Sequence, residues 1–245
     1  MGGLVTDRGL LPVPARALVV CAHPDDVDFG AAGTVAALVE AGCEVAYCLV
    51  TSGDAGDDDL TRSREELREL REREQRDAAA AVGVSDLTFL RWPDGMLTAE
   101  LPLRRELARV IRRTRPELVI CQSPVRILER IFASHPDHLA AGEATLCAVY
   151  PDARNPRAFP ELLDAGLAPH TVREVWLMAH PQPDLVVDVT ETFPQKMAAL
   201  RAHVSQTGQR AELDEMVSGW LAANAESAGF DRGRLAEAFK VVPTA

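Results

Sequence analysis

Two short clusters, His23-Pro24-Asp25-Asp26 and His135-Pro136-Asp137-His138, put three imidazoles and three carboxylates into eight positions. Neutral imidazole nitrogens and carboxylate oxygens are the ligands of a catalytic zinc, which takes three protein groups and leaves a fourth position open. Such an ion lowers the pKa of a water it holds to about 7, and a nearby carboxylate that does not ligate accepts the proton. Two His and two Asp from distant segments are enough for both tasks. Each element also has a plainer reading. Pro24-Asp25-Asp26 suits a turn, Asp137 complements the start of a helix, and His138 suits a satisfied buried position. The plainer readings lose weight together if the two clusters meet.

A parallel sheet would make them meet. Residues 17–22 are an uninterrupted apolar run containing Val19 and Val20, which reads as a strand buried on both faces. Residues 31–40 carry Val35, Leu38 and Val39 at helical spacing and stop before Gly42, and residues 44–51 read as the next strand. This is a β-α-β unit of the length a parallel crossover needs. Residues 62–77 hold six Arg and six acids, many three or four apart, and read as a helix with a solvated face. Strands are predicted at 87–90, 118–122, 172–178 and 185–189. Helices are predicted at 103–113, 136–149, 192–205 and 211–223, with Pro136 and Asp137 marking a helix start. The expected fold is α/β: a mostly parallel, doubly wound sheet with helices on both faces. It forms a single domain over residues 15–245, after an N-terminal extension of residues 1–14.

Ligands of an open parallel sheet bind outside the carboxyl ends of its strands. His23 to Asp26 leave the first buried strand at that end, and the segment after residue 122 delivers His135 to His138 to the next helix from the same end. Residues 51–59 and 92–97 join them. His170, His180 and His203 have no comparable setting and read as structural.

Composition narrows the partners. A net charge of −11 repels phosphate backbones and anionic membranes, and without a local basic cluster no nucleic-acid partner is expected. No apolar run approaches the roughly 20 residues that span a bilayer. Residues 1–14 lack the features of a signal peptide, so a cytoplasmic location is expected. The five cysteines include no C-x-x-C pair and read mostly as small buried hydrophobes. Gly30-Ala31-Ala32-Gly33 does not complete a dinucleotide fingerprint, so no cofactor other than the metal is expected. Neither a P-loop nor a G-x-S-x-G elbow occurs. The acidic loop of Asp54, Asp57, Asp58 and Asp59 lacks the closing Glu of an EF-hand and reads as solvated, or as a rim favouring cationic or polyhydroxylated ligands.

A-H-P-D-D after the first buried strand, W-P-D-G-M-L at residues 92–97, S-H-P-D-H near the centre, and V-D-V-T followed by a helix ending H-V-S-Q resemble the LmbE-like, or PIG-L, N-deacetylases. The resemblance runs from about residue 17 to residue 206. It implies a Rossmann-like domain with zinc at the carboxyl edge of the sheet. It also implies removal of an acyl group, usually acetyl, from N-acetylglucosaminyl compounds such as inositol glycans, thiol precursors and glycopeptide antibiotics. Carried over by position, His23, Asp26 and His138 would ligate zinc, Asp25 would be the general base, and His135 would stabilise the oxyanion. Asp137 would orient His135, Asp94 would face the sugar hydroxyls, and Arg71 would contact substrate. Asp28 stands where members commonly carry Glu, and Ala32-Gly33 where they carry Gly-Gly.

The resulting expectation is zinc-dependent hydrolysis of an acetamide on a small amino-sugar conjugate, with self-association into a homo-oligomer an open alternative. Rival readings are an amidase on thiol conjugates, another metal-dependent hydrolase, and a non-catalytic sugar- or nucleotide-binding protein.

Overall fold

The computed structural model describes residues 3–245; the first two residues of the expected N-terminal extension lie outside the described residues. The chain opens with a hairpin, β1 (Gly3–Thr6) and β2 (Gly9–Pro12), and then enters the central strand β3 (Arg16–Cys21). A short helix α1 (Asp26–Gly30) and α2 (Ala32–Glu40) return it to β4 (Glu44–Thr51). The charged helix α3 (Arg64–Ala81) leads to β5 (Asp86–Trp92), and α4 (Leu101–Thr114) to β6 (Leu118–Gln122). Next come α5 (Pro136–Cys147), α6 (Pro160–Asp164), β7 (Glu174–Met178) and β8 (Leu185–Asp188). The helices α7 (Phe193–Ala202), α8 (Val204–Thr207) and α9 (Leu213–Ser227) precede the last strand, β9 (Ala236–Pro243).

Alternation along the strands builds the core, because successive side chains point to opposite faces. Val19 and Cys21 of β3, Tyr47 and Leu49 of β4, and Ile120 of β6 pack on one face with Leu38 of α2, Ala79 of α3, Leu200 of α7 and Val217 of α9. Leu18 and Val20, Cys48 and Val50, and Val119 and Cys121 pack on the other, with Leu107 and Ile111 of α4 and Ala141 and Ala144 of α5. Helices thus cover both faces, as the α/β reading expects.

The nine strands form one sheet in the order β2-β1-β8-β9-β7-β6-β3-β4-β5. The pairs from β7 to β5 are parallel; those from β7 through β9, β8 and β1 to β2 are antiparallel. The sheet is therefore mixed, with its parallel half as read from the sequence. The antiparallel half includes two stretches the apolar pattern had not assigned. Residues 236–243 carry Glu237 and Lys240 within the strand, and residues 3–12 pair with the sheet through Thr6 and Val187. Strand order reverses beside β3, since β4 lies on one side of it and β6 on the other. The crevice for a ligand in such a sheet opens at that reversal.

Candidate active site

Both clusters arrive at the reversal between β3 and β6. The end of β3 is tied to the end of β6 by Ala22 N–H, which donates to Oε1 of Gln122 at 2.9 Å. α5 begins at Pro136 with His135 as its N-cap, the His135 ring accepting the Asp137 N–H at 3.2 Å. Gly142 lets α5 lie against the backbone of Gln122; a Cβ there would collide with that carbonyl. One turn earlier on the same helix, His138 is thereby brought over the end of β3.

Three ligand atoms converge. Nδ1 of His23 lies 3.3 Å from Nε2 of His138 and 3.4 Å from Oδ2 of Asp26, and Nε2 of His138 lies 3.0 Å from Oδ1 of Asp26. Ligands about 2.0–2.1 Å from a tetrahedral zinc stand roughly 3.3 Å from one another, so the spacing suits one small dication. The tautomers agree. His138 turns Nδ1 toward the Ala133 carbonyl at 3.5 Å, and His23 turns Nε2 toward Asp137 and Asp94, each at 3.2 Å. With protons on those outer nitrogens, the two inner ring nitrogens and the Asp26 carboxylate face one another with no hydrogen between them. The ring nitrogens of His23, His135 and His138 also lie within 4.8 Å of one another, so His135 borders the same point.

Electrostatics favour positive charge there. Burial by itself would lower the His23 pKa, but hydrogen bonds donated to Asp137, Asp26 and Asp94 push it up to about 12. Burial likewise opposes His138 and is outweighed by Asp26, which raises it. A metal ion competes with protons for such nitrogens, and carboxylates that bond the outer ring nitrogen and fix the tautomer strengthen its hold.

Asp25 stands beside this triad, outside it. Its Oδ2 pairs with Nη2 of Arg71 at 3.1 Å. Burial raises its carboxyl pKa to about 6 despite the opposing charge of Arg71. His135 stays neutral, its pKa lowered by burial and then by His23. With Nδ1 accepting a backbone N–H, its Nε2 carries the proton and is the donor.

Three residues expected at the site have these partners. The carboxylate of Asp137 does not orient His135; it accepts from Gly95 N at 2.7 Å, Leu97 N at 3.1 Å and His23 Nε2. It is the Asp137 backbone N–H that holds the His135 ring. Asp94, expected to face the sugar hydroxyls, is 8% exposed. It binds His23 and accepts Ala55 N–H at 2.9 Å; burial opposes ionisation, yet the His23 bond lowers its pKa to about 2. Arg71, expected to contact substrate, is 4% exposed. Its guanidinium donates to the carbonyls of Pro24 at 2.7 Å and Gly53 at 3.1 Å, as well as to Asp25.

The charged helix is only half solvated. Arg71, Glu72, Glu74 and Gln75 are all buried on the face α3 turns inward, each with a partner: Glu72 takes Ser52 and Arg91, and Glu74 takes both the N–H and the hydroxyl of Ser205. The acidic loop is also partly internal. Asp54 is buried against Arg64 and Arg68, and Asp57 pairs with Arg62. Gly53 sits at φ +65°, and a Cβ on it would meet the Arg71 guanidinium. Gly53→Ala should therefore lose at least roughly 1–2 kcal/mol from the backbone alone; an unchanged denaturation midpoint would remove this account of Gly53.

Residues the motifs did not single out complete the surroundings. Gln75, Asp28 and His203 join behind Asp25. Lys196, fully buried, donates to the carbonyls of Asp28 and Phe29 and to Glu237. His203 belongs to the H-V-S-Q match, which was its only sequence signal; its hydrogen bond to Asp28 agrees with a structural reading.

Known proteins resemble this chain over most of its length. The family model described as PIG-L, GlcNAc-PI de-N-acetylase, matches residues 18–149. The diacetylchitobiose deacetylase of Thermococcus kodakarensis is 34% identical over 191 residues, 78% of this chain and 70% of that protein. The probable N-acetyl-alpha-D-glucosaminyl L-malate deacetylase 2 of Bacillus anthracis is 32% identical over 200 residues, 77% of this chain and 80% of that protein. The structure of the N,N'-diacetylchitobiose deacetylase from Pyrococcus horikoshii superposes with a TM-score of 0.86 at 28% identity, covering 94% of this chain and 84% of that one. The chain belongs to the PIG-L family, that of GlcNAc-PI de-N-acetylase, and is an enzyme that hydrolyses N-acetyl amides.

Proposed function

We propose that this enzyme is a zinc-dependent deacetylase of small N-acetylglucosaminyl-type conjugates, in which His23, Asp26 and His138 hold the metal, Asp25 is the general base and His135 the oxyanion donor. The observation that carries the proposal is two ring nitrogens 3.3 Å apart, each 3.0–3.4 Å from one oxygen of the Asp26 carboxylate, with a second carboxylate, that of Asp25, beside them. Zinc, when bound, supplies Lewis-acid polarisation and an acidified water.

The chain's own groups do the rest. Asp25, with its carboxyl pKa raised to about 6 by burial against the charge of Arg71, suits proton abstraction near neutral pH. It takes the proton of the attacking water as the carbon–oxygen bond forms. The neutral His135 donates its Nε2 proton in a hydrogen bond to the developing oxyanion. The proton held by Asp25 then passes to the amine nitrogen as the carbon–nitrogen bond breaks, giving acetate and a free amino sugar. Asp137 and Asp94 hold His23 with Nδ1 turned inward, and Arg71 holds Asp25.

The sugar preference rests on the relatives, which are named for diacetylchitobiose and N-acetylglucosaminyl malate. No helix among the described residues is long and apolar enough to cross a membrane. The five cysteines are all unpaired, which supports a reducing, cytoplasmic setting.

The test is acetate release by zinc-loaded protein from N-acetylglucosaminyl malate, inositol, thiol, glycolipid and antibiotic substrates and from N,N'-diacetylchitobiose. Equimolar acetate and free amine from at least one is the expected result. Thiol-conjugate cleavage without acetate would instead make it an amidase of another acyl group, and sugar binding without turnover would make it a binding protein.

A further inference from the structure

Asp25 and Asp26 are consecutive, yet their carboxylates face different partners: Asp26 faces His23 and His138, and Asp25 faces Arg71. The division is made in the backbone. Asp25 sits at φ 87°, ψ −26°, a region costing a non-glycine residue on the order of 1–3 kcal/mol and kept only where the surroundings over-determine it. On one side, the Asp25 carbonyl accepts the N–H groups of Asp28 at 2.9 Å and Phe29 at 3.0 Å, the opening turn of α1. On the other, its N–H donates to Oε1 of Gln75 at 2.9 Å. Gln75 is fully buried, and its Nε2 donates to Oδ2 of Asp28 at 2.9 Å, an oxygen that also receives Nε2 of His203 at 2.8 Å. Only one orientation of the amide serves. Flipped, it would set NH₂ against an N–H and oxygen against a carboxylate.

We infer that Gln75 is a positioning residue for the base: braced by Asp28 and His203, its amide holds the left-handed backbone that turns Asp25 away from the metal ligands. This rests on the reading of Asp25 as general base. Gln75 has no exposed surface, so it acts on the reaction only through the residue it holds.

Gln75→Leu keeps the bulk of the side chain and removes both hydrogen bonds. In the zinc-loaded variant, kcat for acetate release from N,N'-diacetylchitobiose should fall about 10–100-fold, the scale of a small misplacement of a reacting group. KM should stay within about twofold and zinc content should match wild type, a split that general loosening of the fold would not give. Its crystal structure, which reads the effect independently of substrate, should show Asp25 out of the positive-φ region. Gln75→Glu keeps an acceptor for the Asp25 N–H but sets a carboxylate against Asp28, and should be slow. Adding Asp28→Asn sets an NH₂ where Oδ2 stood; its two hydrogens serve that carboxylate and, with the His203 proton moved to Nδ1, His203 Nε2, so the double variant should recover to within about fivefold of wild type.

Unchanged kcat in Gln75→Leu with Asp25 still at positive φ would overturn the inference. So would a folded, zinc-loaded double variant no faster than Gln75→Glu, and that pair decides the matter if Gln75→Leu does not fold. Asp25→Ala measured alongside separates the two claims. Full activity there removes the base itself, whereas an inactive Asp25→Ala beside an unaffected Gln75→Leu removes only the role of Gln75.

Discussion

Asp25→Ala should lower kcat by about 10²–10⁴-fold, the usual contribution of a general base, while the protein keeps its full complement of zinc. The two halves of the expectation have separate physical grounds. The Asp25 carboxylate pairs with Arg71, and the converging ligand atoms belong to His23, Asp26 and His138, so the metal loses no ligand. Turnover falls because burial has raised this carboxyl pKa to about 6 against the pull of Arg71, which places it where proton transfer at neutral pH is most effective. Removing the carboxylate also leaves the buried Arg71 with only the two carbonyls of Pro24 and Gly53. A stability measurement alongside the kinetics therefore matters: a folded, zinc-replete variant with near-wild-type kcat would show that Asp25 is not the base.

His138→Ala should lose the metal itself, and with it activity to below detection. A catalytic zinc has three protein ligands, and removal of this one leaves a gap on the α5 side with His23 and Asp26 both on the β3 side. Elemental analysis after dialysis should find well under a tenth of the wild-type zinc, an order-of-magnitude expectation for a site cut from three ligands to two. His135→Ala is the informative contrast, because its ring borders the same point. Full zinc occupancy in His138→Ala would overturn the ligand assignment and favour the other group within reach of one ion, His23, Asp94 and Asp137.

Much of the parallel half of the sheet was legible from local pattern. Residues 44–51 and 118–122 appear as strands with the bounds read from their apolar runs, because strands buried on both faces have no polar interruption. The start of α5 at Pro136 was legible for a similar reason, since proline at a first helical position is a local signal. The antiparallel half was less so. β9 carries the buried Glu237, whose carboxylate takes the N–H groups of Gly33 and Thr34 and the ammonium of Lys196. A polar residue whose partners lie some two hundred positions away looks, in its own neighbourhood, like a loop residue.

The same limit shaped the site. Residue types and their place at strand ends were enough to bring two His-Pro-Asp clusters to one edge of one sheet and to name a metal-dependent hydrolysis, because side-chain chemistry and strand polarity are local properties of the chain. Which nitrogen of His23 faces inward, that Asp137 and Asp94 hold that ring, and that Arg71 pairs with Asp25 were decided only by the tertiary structure. Asp137 and His23 are 114 residues apart, and a hydrogen bond between them depends on distance and direction in the folded molecule. Neither quantity exists until the sheet has closed the gap.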